Sequence, residues 1–241
     1  MSRRRAAKRK SGTNEVSAIS RAPLTTDQDL DTNTIRLLSA ACILAFSGFA
    51  SAETWTTYTD LAQFFSVNFP GEPEVREGPY PSEYGATFPS HVYTVQSGEN
   101  FYSLTVVDYT NAQRVYLELP DKTDEASSRW LWLYDQLGSP AYAARQFRLR
   151  GGEVTYDAWN HIDFVEGHQL QITNLDKSRT FAGLYLHHNR LYILEATVPA
   201  DALPQGLFQQ SLTFLDEDGI RIRYEVQPDR SRTRLQRLPG G

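Results

Sequence analysis

The alternation of apolar and polar positions is clearest between Gln169 and Val198. Leu170 and Ile172 oppose Gln169, Gln171 and Thr173, and the more apolar runs Phe181–His188 and Leu191–Val198 follow after short turns at Asp176-Lys177-Ser178 and His188-Asn189-Arg190. Three consecutive strands with tight turns predict an antiparallel meander. Upstream, Phe65, Val67 and Phe69 alternate with Ser66 and Asn68 and predict a half-buried strand ended by Pro70-Gly71. Residues 74–90, punctuated by Gly78, Pro79, Pro81, Gly85 and Pro89, read as an irregular loop. His91–Gln96 and Phe101–Tyr109 read as a hairpin through Ser97-Gly98-Glu99-Asn100.

Helical spacing occurs twice. The first helix is predicted from an N-cap at Thr123, with Asp124 and Glu125 in its first turn. Ala126, Trp130, Leu133, Tyr134 and Leu137 share its apolar face, and Gly138 with Pro140 marks its stop. A short helical piece follows over Ala141–Phe147, and Gly151-Gly152 closes this half. The second helix spans Pro204–Leu215, with Leu207, Phe208, Leu212 and Leu215 inward. A last strand, Ile220–Val226, precedes a polar stretch from residue 228 to 241 that reads as a disordered tail. Strands, helix, antiparallel strands, helix and strand in that order predict an α+β fold, an antiparallel β-sheet flanked by helices.

Ahead of this domain, Ile35–Phe49 is apolar with Arg36 at its front edge, and it ends in Ala50-Ser51-Ala52 before Glu53. Small residues three and one before the cut predict a signal peptide over 35–52, cleaved after Ala52, and hence a periplasmic or secreted protein. Leu37–Phe49 is short for a membrane span of about 20 residues. The alternatives are an uncleaved anchor, which would be the chain's only membrane contact, and lipidation at Cys42, for which Leu38 stands one place too far upstream. Residues 1–34 read as a disordered basic extension or a misassigned start, and 53–227 as one domain.

The leader holds eight of the chain's 24 Lys/Arg and four of its 29 Asp/Glu, so the remainder carries 16 against 25 and a formal charge near −9. That sign disfavours nucleic acid as a partner. The sole cysteine, Cys42, also lies in the leader, which leaves no disulfide or thiol chemistry downstream.

Two stretches resemble a known group. Phe65-Ser66-Val67-Asn68-Phe69-Pro70-Gly71-Glu72-Pro73 is similar to the opening of exported bacterial proteins of unknown function related to PsbP of photosystem II. Asn189-Arg190-Leu191-Tyr192-Ile193-Leu194, followed by Phe208-Gln209-Gln210-Ser211-Leu212, resembles their close. The resemblance implies a PsbP-like α/β/α sandwich and brings no catalytic residues, cofactor or metal.

His187 and His188 are adjacent on a predicted strand, so they are expected on opposite faces. His161 and His168 lie seven apart across a break. Asp216-Glu217-Asp218-Gly219 lacks the later ligands of a calcium loop and reads as a helix-to-strand turn with Gly219 left-handed. No G-x-S-x-G occurs, and Ser211 belongs to a helix face. Trp130 and Trp132 face about 200° apart on a helix, so one can join the core with Leu133 while the other meets solvent or another layer, the alternative to an exposed binding surface being cover by the 141–147 segment. The leading expectation is a non-catalytic interaction module of the envelope. The alternatives are a small-ligand or carbohydrate-binding protein, motivated by Tyr80, Tyr84, Phe88, Trp130 and Trp132 as a ligand or partner surface, and a hydrolase with dispersed catalytic residues.

Overall fold

A computed structural model describes residues 54–119 and 130–235. The leader, the Thr123 N-cap and the last six residues lie outside the described residues.

Seven strands form one antiparallel sheet: β3 (Glu74–Pro81), β4 (Thr87–Ser97), β5 (Asn100–Asp108), β6 (Glu153–Ile162), β7 (Val165–Thr173), β8 (Arg179–His187) and β9 (Arg190–Val198). Their spatial order is β3-β4-β5-β9-β8-β7-β6. The predicted meander is β7-β8-β9, paired through Leu170↔Ala182 and Leu184↔Ile193. A smaller sheet, β1 (Thr56–Asp60), β2 (Phe65–Phe69) and β10 (Thr213–Phe214), and a hairpin of β11 (Tyr224–Val226) and β12 (Arg232–Arg234) complete the strands.

Strand alternation sorts side chains into two cores. On one face, Val107, Leu170, Ile172, Ala182, Leu184 and Leu191 pack against helices α1 (Ala112–Glu118) and α2 (Leu131–Leu149). On the other, Tyr93, Tyr102, Leu104, Tyr185, Tyr192 and Leu194 meet Phe65, Val67 and Phe69 of β2 and Phe208 of the short α3 (Gly206–Gln209). The fold is therefore α+β, with helices on both faces of an antiparallel sheet.

The second core is rich in tyrosine, and each hydroxyl is matched. Tyr93 donates to Asp60 at 2.6 Å, Tyr192 to the Gln63 carbonyl at 2.9 Å and Tyr102 to Gln205 at 3.2 Å, while Tyr185 accepts from Gln169 at 3.3 Å. A buried hydroxyl left unpaired would cost about 1–3 kcal/mol, so these bonds make a tyrosine core workable. Buried Gln209 reaches from α3 to the carbonyls of Leu170 (3.1 Å) and Ala182 (2.7 Å), a pair on β7 and β8.

Several expectations need correction. Residues 74–90 are not a loop, since β3 and the start of β4 occupy most of them. The first helix does not stop at Gly138-Pro140 but runs to Leu149. Pro140 lacks the N–H that would bond the Gln136 carbonyl four residues back, and Ser139 Oγ donates to that carbonyl instead at 2.8 Å. The helix is also rotated from the predicted face: Asp135, Gln136, Ser139, Ala143, Ala144 and Phe147 are its buried residues. The second helix is one turn only, because Leu212 and Phe214 are buried on alternate positions of an extended segment. The 216–219 turn therefore links strand to strand, though Gly219 does take φ +74°. Strands β1 and β6 were not expected, nor was α1. Residues 232–234, read as tail, form β12.

Candidate interaction surfaces

The five aromatic residues singled out from the sequence do not form one surface. Phe88 is in the core, its ring 4.2 Å from that of Tyr109. Tyr80 is half-buried and meets Tyr142 edge-on at 6.5 Å. Tyr84 is exposed in the 82–86 turn. Trp132 packs against the helix-side core, while Trp130 is 53 % exposed, so the two tryptophans divide between core and solvent.

Trp130, the N-cap of α2, has neighbours the predicted inward face had claimed. Tyr134 is 57 % and Leu137 60 % exposed, so positions i, i+4 and i+7 lay an apolar stripe along the outer side of α2. The helix beneath is firmly held. The Asp135 carboxylate, opposite the stripe, accepts the Tyr116 hydroxyl of α1 at 2.7 Å, and Tyr116 meets Ser82 at 3.3 Å. Gln136 donates to Asn189 in the β8–β9 turn at 2.6 Å. Burial holds the Asp135 carboxyl above the usual carboxylate range, outweighing the lowering by Tyr116 and Ser82.

Two further clusters contain titratable side chains. At the end of β8, His187 Nε2 lies 2.9 Å and His188 Nε2 3.4 Å from the Tyr224 hydroxyl of β11. The imidazoles stack at 3.9 Å, against the expectation of opposite faces. The strand ends at His187, and His188 with Asn189 adopts φ of +45° and +61° in the turn. Burial, together with His188 and Arg234, pushes His187 down to about 3. Two neutral rings facing a tyrosine hydroxyl make a hydrogen-bond clamp for β11, and the nearby arginine charge opposes cation binding.

The other cluster joins α2 to β6 and β7. Asp157 receives Arg148 at 2.5 Å on one oxygen and meets His168 at 2.7 Å on the other. The Arg148 bond comes first in holding Asp157 below the usual carboxylate range. Asp157 and His168 have the base-and-orienter geometry of a triad, but among the described residues no hydroxyl or thiol bonds to His168. Ser211 is engaged elsewhere, donating to the Phe208 carbonyl at 3.0 Å and accepting from Asn68 N–H. No group of three His, Cys, Asp or Glu among the described residues could hold a metal ion.

The fold is similar to the solution structure of cyanobacterial PsbP (CyanoP) from Synechocystis sp. PCC 6803. The likeness covers 71 % of this chain and 99 % of that one, with a TM-score of 0.38 and 13 % sequence identity. It is a likeness of fold alone. No family model and no curated protein matches the sequence.

Sequence reasoning missed Trp159, which is 77 % exposed on β6 with its ring edge-on to His168 at 5.8 Å. The available signal was the Val-, Thr-, Tyr- and Trp-rich run Glu153–Ile162 directly after Gly151-Gly152.

Proposed function

We propose that this chain is an exported, non-catalytic interaction module of the cell envelope that engages a protein partner through the outer side of α2. The signal-like leader supports the export part of this reading. The observation that carries the interaction part is the stripe of Trp130, Tyr134 and Leu137, three large apolar side chains more than half exposed along a helix whose opposite face is pinned by Asp135 and Gln136. Aromatic anchors on a rigid element are the usual centre of a protein interface, because little conformational entropy is lost when they are covered.

The test is capture of partners from the host's own envelope with the processed protein and, in parallel, with a Tyr134→Glu/Leu137→Glu variant of unchanged circular dichroism. A protein that co-purifies reproducibly with the first and is lost with the second is the expected result. Identical recovery with both, or nothing reproducible with either, overturns the reading.

A further inference from the structure

The two edges of the seven-stranded sheet are built differently. β3 carries Glu74, Arg76 and Glu77, then Gly78, Pro79 and Pro81, the charges and prolines that keep an edge strand from pairing with another chain. β6 carries the acids Glu153 and Asp157 but no proline and no lysine among its ten residues, pairs only with β7 among the described residues, and exposes Tyr156 and Trp159. An open edge of that length is a template for another strand.

The phase of that edge follows from its hairpin. Asp163 and Phe164, with φ of +52° and +62°, form the two-residue turn, and Ile162↔Val165 is the closing pair. The closing pair of such a hairpin exchanges both ladder bonds, so the backbone groups of Ala158 and Asn160 also face β7. Those of Asp157, Trp159 and His161 point outward. The His161 N–H is accordingly not in the ladder but is held by Asn160 Oδ1 at 2.7 Å.

The length of the usable edge fixes its centre. The bulge between Val154 and Tyr156 ends regular pairing on one side and the turn at Asp163 on the other, which leaves residues 156–162. Their midpoint is Trp159.

We propose that β6 pairs antiparallel with β6 of a second copy about a two-fold axis at Trp159, joining two seven-stranded sheets into one. In this register Tyr156 faces Ile162, Asp157 faces His161 and Ala158 faces Asn160 of the other copy, each twice, with the two Trp159 rings on the same side at the axis. Apolar meets apolar, acid meets imidazole, and no like charges oppose one another. A slip of two residues toward the N-terminus would centre the pair on Asp157 and set two carboxylates face to face. A segment complementary to 156–162 in this sense is the segment itself, which selects a second copy over an unrelated strand. This surface is separate from the α2 stripe, so the two proposals stand or fall independently.

The chain is expressed in full and purified in the form the cell retains, and its mass in solution is measured by sedimentation at high micromolar concentration. A dimer is expected. Trp159→Lys puts two ammonium groups at the axis on a side chain that is already mostly exposed, and it should weaken association at least tenfold with circular dichroism unchanged. Trp159→Cys, in a Cys42→Ser background, tests the register. Facing residues of an outward hydrogen-bonded pair have Cα atoms about 5.5 Å apart, inside the disulfide range of about 4.4–6.8 Å. Oxidation of the Trp159→Cys protein should therefore give a covalent dimer, whereas Thr155→Cys, off the axis, should give none. A monomer at every concentration overturns the proposal. So does a dimer that Trp159→Lys leaves intact and Trp159→Cys fails to cross-link, and that outcome would point to the α2 stripe instead.

Discussion

His187 and His188 are neighbours in sequence whose rings stack at 3.9 Å with 17° between their planes. Extended backbone would send them to opposite faces. The left-handed conformation of His188 folds its ring back over His187, and the Tyr224 hydroxyl then bonds to both Nε2 atoms from β11. The C-terminal hairpin is thus attached to the main sheet through a pair of neutral imidazoles.

Acid should loosen that attachment. The ordinary histidine value of 6.5 applies to the unfolded chain, while burial lowers His187 to about 3 in the fold. Between those values the unfolded chain binds a proton that the folded one refuses. Stability from this group is therefore full above about pH 6.5 and falls as the pH drops, by at most about 1.4 kcal/mol per pH unit, levelling off below about 3. Urea unfolding at pH 7 and pH 5 should show a smaller loss in His187→Phe than in the wild type, although the variant begins lower for want of the Tyr224 bond. Equal losses in the two proteins would contradict the assignment.

The Asp135 carboxyl has the opposite sign. Its folded value is raised by burial, so its contribution is greatest at low pH and is lost as the pH rises through that raised value. Asp135→Asn keeps an acceptor for the Tyr116 hydroxyl and removes the buried charge, so neutral-pH stability should be held or improved. Asp135→Leu removes the acceptor of the Tyr116 hydroxyl, leaving it only the longer contact with Ser82, and should cost about 1–3 kcal/mol. Denaturant midpoints at pH 7 that rank the leucine variant equal to the asparagine variant would refute this account.

These groups explain what could be read in advance and what could not. The meander β7-β8-β9 was legible because Leu170, Ile172, Ala182, Leu184 and Leu191 alternate with residues of another face. β6 was hidden because its bulge breaks the period and because, as an edge strand, it buries only Ile162 fully and shows no alternating apolar face. β3 looked like a loop for the same prolines that protect its edge. The rotation of α2 was illegible for a different reason. The first turns of its inner face carry Asp135, Gln136 and Ser139, whose burial depends on partners up to 53 residues away that periodicity does not register. At the candidate surface, Trp130 and Trp132 do divide between solvent and core, but Trp130, expected on the inward face, is the exposed one because it caps α2 outside the helix, and Phe88 is buried because β4 begins at Thr87, inside the stretch expected as loop.

Gly167 is a position where one methyl group should be costly. It faces Tyr185 across β7 and β8, and a Cβ there would lie 2.1 Å from the Tyr185 ring and 2.5 Å from the Leu184 carbonyl oxygen. Gly167→Ala should destabilise by about 1–3 kcal/mol or more through overpacking. Gly78→Ala is the control, since nothing lies within 4 Å of a Cβ at that position. Thermal unfolding that moves equally for both would remove the argument for close packing at Tyr185.

The proline within α2 supplies the most specific test, because its compensation is a single bond. Pro140 leaves the Gln136 carbonyl without its helical donor, and Ser139 Oγ takes that carbonyl at 2.8 Å in a fully buried setting. Ser139→Ala should therefore cost about 1–2 kcal/mol, the penalty of a buried acceptor left unmade. Pro140→Ala restores an N–H at the same carbonyl and should stabilise the helix on its own, an interior proline costing about 3 kcal/mol. Combined with Pro140→Ala, the loss from Ser139→Ala should largely vanish, because the carbonyl no longer depends on the hydroxyl. A double-mutant cycle by denaturant unfolding measures this coupling directly. Additivity within about 0.3 kcal/mol would show that Ser139 stabilises α2 by some route other than replacing the bond that Pro140 removes.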